Sequence, residues 1–175
     1  MELYVILAQR KCDYPGEFGL EDLGSMTEYD HEANDAYLAE TLEKARASGE
    51  FDRLACITLD VDEEQIRTLL AGQERTERVS LTDVMNPLGL TVLFGQRTGS
   101  YPGEYGLEAI ASMTDYDVDA NPDYLAEQKH EAQASDDFDV IGFVDLEVDE
   151  DAVRSILYPE AKSLSAAVLG TVDLG

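Results

Sequence analysis

The sequence predicts an α/β (α+β) fold: a tandem duplication of a small β-α-α-β-α unit, with helices packed on a small sheet. Three observations carry this. Residues 3–70 and 90–157 align without a gap at an offset of 87, with about half of the positions identical. Each copy opens on an apolar run of strand length and holds a second such run further on. Between and after these runs, apolar residues recur at helical spacing. The repeat is longer than a solenoid unit of roughly 20–50 residues, so two small domains side by side are expected. The first repeat domain is placed at 1–70, a linker region at 71–89 with a candidate extra strand at 78–82, and the second repeat domain at 90–175.

In order, the first strand of each copy is Leu3–Leu7 or Leu90–Phe94. A turn follows at Tyr14-Pro15-Gly16-Glu17 and Tyr101-Pro102-Gly103-Glu104. Proline second and glycine third is the type II signature, because glycine tolerates the positive φ at that place. Leu20, Leu23 and Met26, matched by Leu107, Ile110 and Met113, then mark a short amphipathic helix. A second helix begins near Asn34 and Asn121. In the second copy Asn121-Pro122-Asp123 reads as N-cap, first-position proline and early acid. Tyr37, Tyr124, Leu38 and Ala45 face inward on this helix, which frays into Ser48-Gly49 or Ser135-Asp136. Leu54–Leu59 and Ile141–Leu146 form the second strand. Asp62 and Asp149 cap a third helix carrying Ile66, Leu69 and Leu70, or Val153, Ile156 and Leu157. Val79–Leu81 and Leu164–Val168 are candidates for a closing strand.

Charge is the second large fact. The chain holds 38 Asp and Glu against 12 Lys and Arg, a formal net charge of −26. Residues 1–87 contribute −12 and residues 88–175 contribute −14, so both halves are acidic throughout. Such a field repels nucleic acid and anionic lipid and attracts basic partners. Direct nucleic-acid binding and membrane association are therefore not expected. No apolar run approaches the roughly 20 residues of a membrane span. A strand opens directly after Met1-Glu2 with no basic segment before it, so no secretory leader is expected. Cys12 and Cys56 align with Gly99 and Phe143, which leaves no disulfide in the repeat plan. A reduced, cytoplasmic protein is the expectation.

The copies differ in what they retain. Twelve aligned positions are acidic in both, among them Glu17/Glu104, Glu21/Glu108, Glu28/Asp115, Asp30/Asp117 and Glu32/Asp119. Five of the twelve exchange Asp for Glu, which keeps sign while changing reach. Coordination and general acid–base chemistry are sensitive to reach, whereas a long-range field is not. Asp115-x-Asp117-x-Asp119 opens like a calcium loop, but Ala120 stands where glycine is needed and Ala126 where glutamate is needed. A solvated loop is the reading there, and neither metal nor cofactor is expected. Arg10 and Arg97 follow the first strand in both copies and are expected to pair internally with carboxylates. Tyr14 and Tyr101 either pack over the sheet edge or serve as aromatic anchors for a partner. His31 and His130 align with Val118 and Glu43, and no CxxC, HExxH, GxSxG or Walker spacing occurs. Catalysis is not expected.

In its acidity, its size and its lack of catalytic motifs, the chain resembles the small acidic DNA-mimic inhibitors of bacteriophages and mobile elements, the anti-restriction and anti-CRISPR class. The resemblance implies an acidic protein that blocks the basic, nucleic-acid-binding surface of a partner, in a bacterial host cytoplasm if phage-encoded. The carboxylates of such a surface would stand for phosphates, spaced about 1.7 Å apart along duplex DNA. Two side-by-side domains would span roughly 60 Å, about 15–18 base pairs. The positions expected to carry the contact are Glu17, Glu21, Glu28, Asp30 and Glu32, with Glu104, Glu108, Asp115, Asp117 and Asp119. The alternative is a protein–protein adaptor or regulator whose acidity is incidental, or serves solubility in a halophilic cytoplasm.

Overall fold

The apolar run that opens each copy is a strand paired on both sides. The computed structural model describes residues 1–14, 17–71, 79–80, 87–101, 104–159 and 171–173. The elements of the first half are β1 (Glu2–Arg10), β2 (Leu20–Thr27), α1 (Glu28–Ala33), α2 (Tyr37–Ser48), β3 (Phe51–Asp60), α3 (Glu63–Ala71) and β4 (Val79–Ser80). The second half gives β5 (Pro87–Arg97), β6 (Leu107–Thr114), α4 (Asp115–Ala120), α5 (Tyr124–Ala134), β7 (Phe138–Asp149), α6 (Glu150–Leu157) and β8 (Thr171–Asp173). The fold is α+β. Each sheet has three antiparallel strands, in the orders β2-β1-β3 and β7-β5-β6.

Two short strands change sheets. β8, from the end of the chain, pairs parallel with β3, and β4, from the middle, pairs parallel with β7. The expected strand at Val79–Leu81 is thus β4, which joins the sheet of the other half. Leu164–Val168 lies outside the described residues; the last strand described, β8, is Thr171–Asp173. Pro87–Gly89, read as linker, begins β5, with Leu88 buried.

The helix expected over Leu20, Leu23 and Met26 is instead strand β2, and Leu107, Ile110 and Met113 lie on strand β6. A bulge is the physical reason. β1 pairs Ile6 with Gly24 and Leu7 with Asp22, passing over Leu23; β5 pairs Leu93 with Ala111 and Phe94 with Ala109, passing over Ile110. An extra residue flips the faces that follow it. Leu20 therefore packs inward and Met26 outward, although six residues apart they would share a face of a regular strand. The bulge turns a period of two into an apparent period of three.

The acidic stretch expected as a solvated loop is helix α4, and its counterpart is α1. Thr27 and Thr114 cap these helices, accepting the N–H of Asp30 and Asp117, whose carboxylates accept the threonine N–H in return. This is a capping box with aspartate at the third position. Asn121 ends α4 rather than starting α5, whose N-cap is Asp123. The third helix starts as expected: Asp149 accepts from Asp151 and Ala152, and Asp62 accepts from Gln65. α2 ends at Gly49, also as expected. The central turn residues Pro15-Gly16 and Pro102-Gly103 lie outside the described residues. Glu17 N–H to Tyr14 O and Glu104 N–H to Tyr101 O close those turns at 3.2 Å each.

The expectation of two domains, each with its own core, does not describe the packing. The inner faces of the two sheets meet in one shared core: Leu3, Val5 and Leu7 of β1 join Leu90, Val92 and Phe94 of β5. Ile66 and Leu70 of α3 belong to it, with Val153 and Leu157 of α6. α3 packs against β7 and α6 against β3, so the third helices cross over as the edge strands do. Two smaller clusters lie on the outer faces, Leu38 of α2 over Ile6 and Met26, and Leu125 of α5 over Leu93 and Met113. The physical reason is size. A unit of about 85 residues that is apolar on both faces of its sheet has too few helices to cover both.

Bonds across the seam come in reciprocal pairs at the same offset as the sequence repeat. Thr27 Oγ1 donates to Leu107 O at 2.6 Å, and Thr114 Oγ1 donates to Leu20 O at 2.7 Å. Arg67 reaches Gln96 and Arg154 reaches Gln9. The Tyr116 ring lies 2.8 Å from where a Cβ on Gly19 would sit, and the Tyr29 ring similarly occupies the side-chain space of Gly106. A side chain at either glycine would drive the ring away. Ser25 Oγ meets its own counterpart, Ser112 Oγ, at 2.6 Å. An interface in which i meets j and j meets i is isologous, and a residue meeting its counterpart marks the pseudo-twofold.

Candidate functional site

Most of the ten acidic positions expected to form a contact surface are engaged within the protein. Glu21 makes a bidentate pair with Arg10 at 2.9 and 3.0 Å, and Glu108 does the same with Arg97 at 2.8 and 3.1 Å. These pairs meet the expectation that both arginines are satisfied internally, and they cancel the charge of both glutamates. Each arginine also stacks on an aromatic ring, Arg10 on Phe51 at 5.0 Å and Arg97 on Phe138 at 5.1 Å. Glu17 accepts the Asp13 N–H, and Glu104 the Ser100 N–H, bracing their own loops. Glu28 accepts the N–H of Glu2, and Asp115 that of Gly89, where the first strands begin.

Asp30 and Asp117 do the most structural work. Besides closing its capping box, Asp30 accepts the Ala109 N–H across the seam at 2.7 Å, and Asp117 accepts the Asp22 N–H at 2.8 Å. Burial pushes both carboxyl pKa values up, against the pull of these backbone donors. Glu32 and Asp119 are exposed. Tyr14 and Tyr101 stand 61% and 63% exposed, so neither packs over a sheet edge. Each borders a cleft, of about 400 Å³ with Gln9 and Arg154 and of about 410 Å³ with Gln96 and Arg67.

Exposed carboxylates stand on both halves, and the halves differ in their exposed cations. Lys11, Lys44 and Arg46 are exposed, all in the first half. Among the described residues of the second half no Lys or Arg is exposed: Arg97 and Arg154 pair with Glu108 and Glu150, and Lys129 lies over Phe143. Asp119, Asp123, Glu127, Glu131, Asp136, Asp137 and Asp139 are all exposed there.

A cavity of about 290 Å³ lies on the pseudo-twofold, between β2, β6 and the helices above them. Its walls include Asp22, Ser25, Tyr37, Ser112, Asp117 and Tyr124. Tyr37 and Tyr124 were expected in the core; both line this cavity, Tyr124 while packing against the Leu93–Met113–Leu125 cluster and Tyr37 at 37% exposure. The Tyr37 hydroxyl lies 3.1 Å from where a Cβ on Gly24 would be, a space that the methyl of Ala111 fills in the other half.

Asp22 is the unusual group. Its Oδ1 accepts the Gly24 N–H at 2.9 Å, while Oδ2 is closed to bulk water and has no hydrogen-bond partner. Burial pushes its pKa up to about 7, helped by the neighbouring Asp117 carboxylate and opposed by Ser112 and the Gly24 N–H. The counterpart of Asp22 is Ala109, so a pseudo-symmetric cavity carries its carboxylate on one side only.

Asp22, Ser25, Ser112, Tyr37 and Tyr124 were not singled out by the sequence. The available signal was the Asp22/Ala109 difference, beside the unchanged triplets Ser25-Met26-Thr27 and Ser112-Met113-Thr114. No helix among the described residues is long and apolar enough to cross a membrane. Comparison with protein families, curated proteins and solved structures found no match to the chain.

Proposed function

We propose that this chain is an acidic decoy, a binding protein rather than an enzyme, that occupies the basic nucleic-acid-binding surface of a partner protein. One observation carries the reading. The few cations of the described residues are largely drawn inward onto glutamates and rings, and the surplus carboxylates are left outward. Both halves expose carboxylates, and the contact is placed on the second half because no Lys or Arg is exposed among its described residues.

The shared core resizes the expected mimic. A 175-residue body with one core has a radius of gyration of about 16 Å and spans roughly 40 Å. That matches about 12 base pairs of duplex rather than the longer span of two separate domains. We read the duplicated unit as β-β-α-α-β-α and the chain as a fused pseudo-dimer, which would suit a twofold or bilobed basic surface. Of the ten expected positions, Glu21 and Glu108 are set aside because arginine neutralises them, and Asp30 and Asp117 because their capping boxes hold them; Asp115 stays exposed. Glu32 and Asp119 are kept, joined by Glu127, Glu131, Asp136 and Asp137.

The test is capture of partners on the immobilised chain at low and high salt, followed by competition with duplex DNA. The expected partner binds nucleic acid, is displaced by DNA, and is released as salt shortens the screening length to about 8 Å or below. Replacing Asp119, Glu127, Glu131 and Asp137 together by Asn or Gln should release it, while single replacements do little. A partner held equally at high salt, or unmoved by DNA, would overturn the decoy reading. Exposed Tyr14 and Tyr101 beside equivalent clefts support an adaptor as the second reading. In that case Tyr14→Ala and Tyr101→Ala would release the partner and the charge variants would not.

A further inference from the structure

We propose that two equivalent clefts, one beside Tyr14 and one beside Tyr101, each receive an arginine side chain of a partner polypeptide, the second with the higher affinity. The clefts repeat at the offset of the duplication. Gln9, Tyr14, Asp52 and Arg154 line the first, and Gln96, Tyr101, Asp139 and Arg67 line the second. Each is assembled from both halves, since its arginine comes from the third helix of the other half. The polar groups deeper in are already paired. Arg154 Nη1 donates to Gln9 Oε1 at 2.9 Å and Arg67 Nη1 to Gln96 Oε1 at 2.6 Å. The glutamine Nε2 atoms donate to Phe18 O at 3.0 Å and to Tyr105 O at 2.8 Å. A glutamate one turn back neutralises each arginine, Glu150 at 3.2 Å from Arg154 and Glu63 at 3.0 Å from Arg67.

What the clefts leave open is a ring and a carboxylate. Tyr14, Tyr37, Tyr101 and Tyr105 are the exposed large apolar side chains among the described residues, and three of these four line the clefts. Glu17 and Glu104 brace the turns that carry Tyr14 and Tyr101, so little order is lost when a partner lands on the rings. Asp13 and Asp52 are exposed at the first cleft and Asp139 at the second. A guanidinium is the cation that uses both features, its plane on a ring and its N–H groups on a carboxylate. The protein holds its own arginines that way, Arg10 by Phe51 and Glu21, and Arg97 by Phe138 and Glu108. Among the described residues no cation stacks on Tyr14 or Tyr101. The first cleft has more positive surroundings: Arg53 lies over its Tyr158 ring at 5.1 Å, and Lys11 is exposed next to Cys12. Val140 and Thr98 stand at those positions in the second half, which ranks the Tyr101 cleft higher.

The inference goes beyond the decoy reading and does not rest on it, because the clefts lie outside that contact set and suit an arginine-bearing partner whether or not it binds nucleic acid. The full chain is titrated at about 0.15 M salt with a capped Gly-Arg-Gly peptide, and with the same peptide carrying lysine or citrulline. The readout is the upfield shift of the side-chain methylene protons next to the charged group, which a ring face imposes and diffuse attraction does not. A saturable shift with arginine, binding weaker by about threefold or more with lysine, and none with citrulline is the expected result. Tyr14→Ala with Tyr101→Ala should remove the shift and leave the circular dichroism unchanged, since both side chains are exposed. Asp52→Asn with Asp139→Asn should weaken binding by about twofold to fivefold. Equal binding of the lysine peptide, or a shift that survives the tyrosine variants, means that the acidic surface attracts as a whole and overturns the clefts. Equal binding of the citrulline peptide means apolar contact only and overturns them too. No arm of this titration contains the partner, so competition with DNA decides the decoy reading separately.

Discussion

Asp22 sets the pH dependence of the fold. In the unfolded chain its carboxyl ionises near 3.8, and burial moves it to about 7 in the folded state. A folded value above the unfolded one means that the folded state holds its proton more tightly. The stabilisation is complete below the unfolded value and is lost as pH rises through the folded one. The limit of that loss is about 4 kcal/mol, reached between roughly pH 4 and pH 8. Asp30 and Asp117 are shifted the same way by burial and add to the slope. Asp22→Asn should therefore resist urea better than wild type at pH 8 and match it near pH 3.5. Denaturation curves at the two pH values check this, and a variant no more stable than wild type at pH 8 would refute it. None of this was legible in the sequence. Asp22 reads there as one carboxylate among 38, and only the bulge and the seam bury it.

At the scale of the element, the two threonines that cap α1 and α4 also hold the halves together. Thr114 accepts the Asp117 N–H and donates its own hydroxyl proton to Leu20 O across the seam, with no exposure to solvent. Loss of a cap costs about 1 kcal/mol, and a buried carbonyl left without its donor costs about 1–3 kcal/mol more. Thr114→Val, which keeps the shape and removes the hydroxyl, should lower stability by roughly 2–4 kcal/mol in chemical denaturation, and Thr27→Val by a similar amount. A change under about 0.5 kcal/mol in both would show that the seam does not depend on them. Thr-x-x-Asp stands in both copies, but in stretches so rich in acids that the aspartate at the third position is not distinguished from its neighbours. The strands β1, β3, β5 and β7 were legible because each carries a predominantly apolar run of strand length. β2 and β6 were not, because a bulge at Leu23 and Ile110 breaks the alternation that marks a strand.

For the whole molecule, the repeat was legible and its consequence for packing was not, since periodicity within a unit does not say which unit covers its inner face. The first half alone bares Leu3, Val5, Leu7, Leu20, Ile57 and Leu59, each worth about 1.5–3 kcal/mol when buried. It also loses β8, α6 and the cross-seam bonds. A fragment of residues 1–86 should therefore not exist as a folded monomer. Because the native seam is isologous, a second copy of the fragment can take the place of the missing half. That substitution brings a second Asp22 into the seam where the native chain has Ala109, and two neighbouring, partly desolvated carboxylates resist joint ionisation. The fragment should dimerise at pH 5 and dissociate and unfold toward pH 8. Asp22→Ala in the fragment should remove most of that pH dependence. Mixing it with a fragment of residues 87–175 at pH 8 should restore a one-to-one complex with native circular dichroism. Light scattering coupled to gel filtration distinguishes these states. A compact monomeric fragment that melts near the temperature of the full chain would mean that each half carries its own sufficient core, and that the shared cluster is an interface between two domains.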